Sequence, residues 1–351
     1  MVKGFEALRS SRVKSLDSQT RMKVDAWPAL KYEAWKETLH AIHMWTQIVG
    51  KIRLAKTPLM NHWWNSALLV TPRGLGTGLV PSDGDAFQID LDFVAHELTI
   101  VTSRGGTSAM PLRAMSVADF YREVLDSLER LGLGAPHIDV VPNEVAVAVP
   151  FPEDVALRPY DRDRAREFAG ALLHTDLVFE RFRAGFLGKA SPVQFFWGSF
   201  DLAAARFSGR RAPAYAGGTP PNVNVHVMHE AYSHELISAG FWPGNADVPR
   251  AEYYAYAMPA IDGLASAKIR PAAAGWDADR GEFLLPYEAV RTAADPASML
   301  FDFLQSTYDT AADLAGWDRA LLEDPVQCEC VSIPPRMRGR ARPIPARKVG
   351  V

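Results

Sequence analysis

Phe87-Gln88-Ile89-Asp90-Leu91-Asp92-Phe93 alternates apolar and polar side chains without a break. Extended, it places Phe87, Ile89, Leu91 and Phe93 on one face and Gln88, Asp90 and Asp92 on the other. One face on a core and one toward water is the pattern of an antiparallel sheet, not of a parallel sheet covered on both sides. The runs 66–71 and 98–102 read as neighbouring strands, separated by turns rich in Gly, Pro and Asp. Helices bracket these strands. Upstream, 32–49 carries Trp35, Leu39, Ile42 and Trp45 near one face, with Gly50 as the stop. Downstream, Ser116 caps a 3.6-residue apolar pattern that runs to Leu131 and ends at Gly132.

The same order recurs: a helix over 163–187, strands within 195–205 and 252–257, and a closing helix over 296–314. Short motifs echo between the two stretches. Val49-Gly50-Lys51 is matched by Leu187-Gly188-Lys189, and His62-Trp63-Trp64 by Gln194-Phe195-Phe196. Thr77-Gly78-Leu79-Val80-Pro81 is matched by Ala239-Gly240-Phe241-Trp242-Pro243. The offset grows along the chain, so the second copy carries an insertion of about 30 residues. The expectation is an α+β fold of two diverged tandem repeats, each an antiparallel sheet flanked by helices, packed with pseudo-two-fold symmetry as one globule. Its parts are a flexible arm (1–26), unit one (27–140), unit two (160–322) with an extra segment around 211–238, and a basic Pro/Arg-rich tail (323–351).

With 351 residues, 48% of them hydrophobic, the chain can bury a full core. Lys plus Arg (38) nearly balances Asp plus Glu (41), so no global charge draws it to nucleic acid or an acidic membrane, and the basic tail has no basic face beside it. No apolar stretch reaches membrane-spanning length. Residues 1–23 lack the apolar segment of an export signal, and Cys328 and Cys330 stand too close together to staple a core. A cytoplasmic protein with a small-molecule partner is expected; cofactor and oligomeric state are left open.

The densest chemistry lies in His226-Val227-Met228-His229-Glu230-Ala231-Tyr232-Ser233-His234-Glu235, inside the extra segment. Its His-Glu-x-x-x-His spacing is one residue too long for the zinc-protease motif, which needs two histidines a helical turn apart. Residues 222–228 alternate as a strand would, which parts His226 from any helix carrying Glu230 and His234. The candidate catalytic set is His234 as acid or base, Glu235 or Glu230 orienting it, and Asp201 and His62 completing the site. Asp201, inside an apolar strand, needs a partner such as Arg206 or a histidine. Trp64, Trp197, Arg206, Tyr232 and Trp242 are candidate ligand-binding residues, and a metal is unspecified. Each has a plainer reading beside it: a hydrogen-bonded core histidine, a structural ion pair, or aromatic core. Lys51 and Lys189, next to helix-ending glycines, suit carbonyl ends better than substrate. Walker A, GxGxxG and GxSxG motifs are missing.

The stretches HMWTQIVGKIRL (43–54), NHWW (61–64), VTPRGL (70–75), FFWGSFDLAAARFSGR (195–210), EAYSHELISAGFWPG (230–244), GEFLLPY (281–287) and FLQSTYDTAADLAGWDRA (303–320) resemble an uncharacterised bacterial family, domain-of-unknown-function family 5996. The likeness spans roughly 27–322 and brings no activity with it. In that family His often stands at the place of Gln194 and Arg at that of His229, which speaks against a metal scheme through either. Glu230, Tyr232, Ser233, His234 and Glu235 match its pattern.

Overall fold

A computed structural model describes residues 27–323. It is an α+β fold of two antiparallel six-stranded sheets and seven helices. Helix α1 (Tyr32–Lys56) leads into β1 (Leu69–Thr71), β2 (Gly74–Gly76), β3 (Val80–Ser82), β4 (Asp85–Asp92), β5 (Glu97–Thr102) and β6 (Thr107–Pro111), and α2 (Val117–Arg130) follows. The first sheet runs β1-β2-β4-β5-β6, with β3 on β4. Phe87, Ile89, Leu91 and Phe93 all point into the core, as the alternation requires. Ser116 caps α2 by accepting the Asp119 N–H, and Gly132 adopts the left-handed conformation (φ 70°) just past the end.

A connection over 131–161 returns along α1 to α3 (Arg162–Ala184). The second half is β7 (Gln194–Phe196), β8 (Asp201–Arg211), α4 (Val225–Ala231), β9 (His234–Trp242), β10 (Glu252–Met258), β11 (Gly275–Asp277), β12 (Glu282–Pro286), α5 (Tyr287–Arg291), α6 (Pro296–Leu314) and α7 (Arg319–Leu322). Its sheet runs β11-β12-β10-β9-β8-β7. The two sheets meet edge to edge where Leu68 and Phe195 exchange backbone hydrogen bonds of 2.8 Å. One hydrophobic core, continuous through both halves, lies between the sheets and the helices α1, α2, α3 and α6.

Three local expectations change. Gly50 does not stop α1, which continues for another turn and a half to Lys56. The glycine is there for room: a Cβ at 50 would stand 2.2 Å from the Trp197 ring. Residues 225–231 form a helix, not a strand, because the Asn224 side chain caps it by accepting the His226 N–H. The motif echoes do not share places in the fold: Gln194–Phe196 is the first strand of the second sheet, while His62, Trp63 and Trp64 lie in a turn before β1. The arm and tail expectations fall outside the described residues.

Candidate functional site

The second sheet has two unlike faces. Tyr253, Ala255, Phe283 and Leu285 pack on the helices, whereas their alternates Glu252, Tyr254, Tyr256, Glu282 and Leu284 face away from them. On β8 and β9 the outward alternates are Asp201, Ala203, Ala205, Leu236, Ser238 and Trp242. A free sheet face would be wet, but here the segment between β8 and β9 folds over it. Val227, Met228 and Ala231 of α4, with Tyr232, form a roof, while His226, His229 and Glu230 are exposed on its outside. The cavity under this roof measures about 680 Å³.

Asp201 forms its floor. Ser199 donates to Oδ1, and the Tyr254 hydroxyl donates to Oδ2. Tyr254 lies two strands away, and it reaches because Gly240 on the intervening β9 leaves its ring a path: a Cβ there would be 2.2 Å from the ring. Burial raises the Asp201 carboxyl against the pull of both donors. Burial also pushes Glu144 up to about 7, with the negative charge of Asp201 adding to it. Glu282 is likewise pushed up to about 7 by burial, against the pull of Arg280. Tyr254 and Tyr256 are raised well above the ordinary phenol value, mainly by burial, and so stay protonated donors.

Glu144 sits on the long connection, with a left-handed backbone (φ 59°) that turns its side chain in over Gly198. Hydrogen bonds to α1 and to the roof segment fix this loop. Gln47 of α1 donates to the Asn143 carbonyl (2.7 Å) and accepts the Asn143 N–H (2.9 Å), in the manner of a strand neighbour. Lys51 donates to Asp139 Oδ2 (2.9 Å) and to the Val141 carbonyl (2.8 Å). Asn222 donates to the Val141 carbonyl (2.8 Å), and the Glu144 N–H donates to the Pro221 carbonyl (2.8 Å), tying loop to roof.

His62 and Trp64 close one wall. The Trp64 indole N–H donates to His62 Nε2 (2.5 Å), so the ring proton resides on Nδ1. Burial holds His62 down to about 4, with nearby Lys189 adding to it, so the ring is neutral. The Lys189 ammonium lies 5.7 Å from the Trp64 ring and 5.4 Å from that of Phe207.

Of the residues expected from the sequence, His62, Trp64, Asp201, Tyr232 and Trp242 come together around this cavity. Trp197 is buried beneath it, donating to the Ser66 carbonyl (3.0 Å). Arg206 is not the partner of Asp201: an odd offset along a strand puts the two on opposite faces. Its guanidinium lies 3.5 Å from the Phe182 ring and 4.2 Å from that of Tyr308, among the helices. Glu235 also lies on the helix side and binds Arg210 (2.6 Å), which reaches the end of α6. His234 begins β9 beyond the cavity, with Nδ1 3.0 Å from the Ser233 hydroxyl. Glu230 pairs with His226 (3.4 Å) on the outer face of α4. Sequence reasoning missed Glu144, Glu252, Tyr254, Tyr256 and Glu282. The polar alternates of 252–258 and 282–286 were a usable signal for four of them, while Glu144 stands in a loop without periodicity.

Among the described residues no group of His, Cys, Asp or Glu is placed to hold a metal ion, and no helix is long and apolar enough to cross a membrane. Fold and cavity together define an α+β protein with a ligand-sized, acid-floored cavity on one face of its second sheet. The chain belongs to the family of unknown function DUF5996, whose model matches residues 27–324. No curated protein and no solved structure matches it.

Proposed function

We propose that the protein binds a small organic molecule in the cavity of its second sheet. The observation that carries this is Asp201, a buried carboxylate held by two hydroxyl donors on the floor of a roofed space. A face with only a structural role would be packed with apolar side chains or left wet, because a buried carboxylate is costly. The volume falls in the range of metabolite sites, about 300–1,000 Å³, and the walls join aromatic rings to polar and charged side chains. The small net charge of the chain agrees with a small molecule as partner, rather than nucleic acid or membrane, and the cysteine usage with a cytoplasmic setting.

A catalytic reading is favoured by one further observation. Both carboxyls are raised by burial, Glu144 to about 7, yet Asp201 accepts from two hydroxyls and Glu144 from none, and two carboxyls in such unlike settings suit an acid and a base. In this reading Asp201 and Glu144 transfer the proton and neutral His62 donates from Nδ1. His234, Glu230 and Glu235 contribute through the segment that positions Tyr232.

The two halves also support an internal duplication with pseudo-two-fold packing. Each runs helix, five-stranded meander, helix: α1 to α2 around β1-β2-β4-β5-β6, and α3 to α6 around β7-β8-β9-β10-β12. Their first strands meet at the Leu68–Phe195 bridge, where a two-fold axis would pass. The insertion over 211–233 then roofs only one copy, which accounts for a single-sided site.

Native mass spectrometry of the full chain purified from its own host tests the binding reading. A small organic adduct on the wild type, lost in Asp201→Asn, is the expected result. A bare wild-type mass, with no thermal shift from any compound of a metabolite library, would overturn it.

A further inference from the structure

Charge and aromatic rings in this cavity go together in a way that selects its occupant. Five carboxylates line it, those of Glu144, Asp201, Asp247, Glu252 and Glu282, against one guanidinium, that of Arg280. Arg280 is already engaged, 3.3 Å from Glu252 and 3.8 Å from Glu282, and Arg250 takes the other Glu252 oxygen at 2.7 Å. Among the described residues neither Glu144 nor Asp201 has a cationic partner, and the Glu144 carboxyl has no hydrogen bond. Two carboxyl groups without a cationic partner therefore look into one cavity. Around them stand the rings of Trp64, Phe196, Tyr232, Trp242, Tyr254 and Tyr256, whose faces attract cations.

We propose that the cavity binds an organic cation, an amine whose ammonium lies between Glu144 and Asp201 and whose carbon body lies against the tyrosines and tryptophans; this rests on the small-molecule reading above. An ammonium supplies what the site lacks: N–H donors for carboxylates whose remaining lone pairs are unmatched, and a charge that offsets theirs. A carboxylate or phosphate ligand would add a further anion at closest approach, in a medium of low dielectric where repulsion is strongest. A neutral ligand could donate a hydrogen bond but would leave Glu144 and Asp201 without a cationic partner. Bare metal ions do not suit the same groups, which are not arranged to converge on one point.

Triads of matched compounds separate charge from shape. In each, one carbon skeleton carries an ammonium, a hydroxyl or a carboxylate: benzylamine, benzyl alcohol and benzoate; phenethylamine, 2-phenylethanol and phenylacetate; butylamine, butanol and butyrate. Calorimetric titration of the full chain at neutral pH is expected to rank the amine first in any triad that binds, by about tenfold over the alcohol, the scale of one charge-assisted hydrogen bond. The carboxylate should not bind. Glu144→Gln should bring the amine close to the alcohol, and it carries the test where Asp201→Asn does not fold. Equal affinity of amine and alcohol, or preference for the carboxylate, would overturn the cation assignment while the binding reading stands. Silence of every compound would overturn both.

Discussion

The ring of Tyr254 crosses strand β9 above Gly240 to bring its hydroxyl to Asp201 on β8. A buried carboxylate on one strand is thus satisfied from a strand that is not its neighbour. Tyr254→Phe removes one of its two donors without changing shape. Loss of a hydrogen bond to a buried charged group costs about 1–3 kcal/mol, so urea unfolding should report a drop of that size. A value near zero would mean that Asp201 does not depend on the tyrosine.

The same geometry makes Gly240 irreplaceable for a reason other than backbone conformation. An alanine Cβ would stand 2.2 Å from the Tyr254 ring, so the ring must move. Gly240→Ala should cost roughly 1–3 kcal/mol, as overpacking does. In the background of Tyr254→Ala the same change should cost far less, and a double-mutant cycle measures this coupling. Additive effects would sink the argument.

Glu144 ties stability to pH. Its folded value, about 7, lies above the ordinary glutamate value of 4.5, because burial and then the charge of Asp201 disfavour the anion. Tyr232 faces it from the roof, with its own proton held by burial. The native state thus binds the proton more tightly than the unfolded chain does. Its contribution is fully present below about 4.5 and is lost as pH rises through 7, by at most about 3 kcal/mol. Unfolding free energies between pH 5 and 8 should fall for the wild type and fall less for Glu144→Gln. Parallel curves would count against a buried Glu144 proton.

Much of the fold was legible in local pattern, and the site only in part, for physical reasons visible in single residues. Phe87 to Phe93 alternates because each side chain answers to its own face, a local signal. Residues 296–314, read as the closing helix, are the bounds of α6. Asp201 was legible as a buried charge, but its partner was not: Tyr254 is 53 residues away and reaches it only because Gly240 lies between. His226 to Glu235 looked like chemistry because titratable groups are dense there. In the folded chain the apolar residues of that segment face the cavity, and most of its charges face solvent. Glu144 gave no signal, since its place depends on contacts of a loop with α1.

Arg206 makes a contrasting case, a buried charge on the helix side of the sheet, stacked on Phe182 and Tyr308 and donating to the Phe182 carbonyl. A lysine keeps the charge but not the flat face, so Arg206→Lys should lower stability by about 1–3 kcal/mol. Because the strand turns this side chain away from the cavity, affinity for the amine probes should not change. A fall in affinity with stability intact would show that the two faces of β8 are not separate.

Helix α1 belongs to the first half of the chain, yet it sets the geometry of a site in the second. Gln47 holds both backbone groups of Asn143, the residue before Glu144, and His43 one turn earlier holds the Gly198 carbonyl (2.9 Å) in the turn that leads to Asp201. Burial keeps His43 down to about 4, so it is neutral and donates from Nε2. Gln47→Leu preserves size and removes both bonds, leaving a buried N–H and a buried carbonyl without partners at about 1–3 kcal/mol each. A purely structural role predicts lost stability and unchanged affinity in the protein that remains folded. If α1 positions the carboxylate, the preference for amine over alcohol should fall as well, because Glu144 loses its fixed place opposite Asp201. Glu144→Gln in the Gln47→Leu background should then add little to that loss of preference. A full additional loss would show that Gln47 stabilises the loop without positioning Glu144.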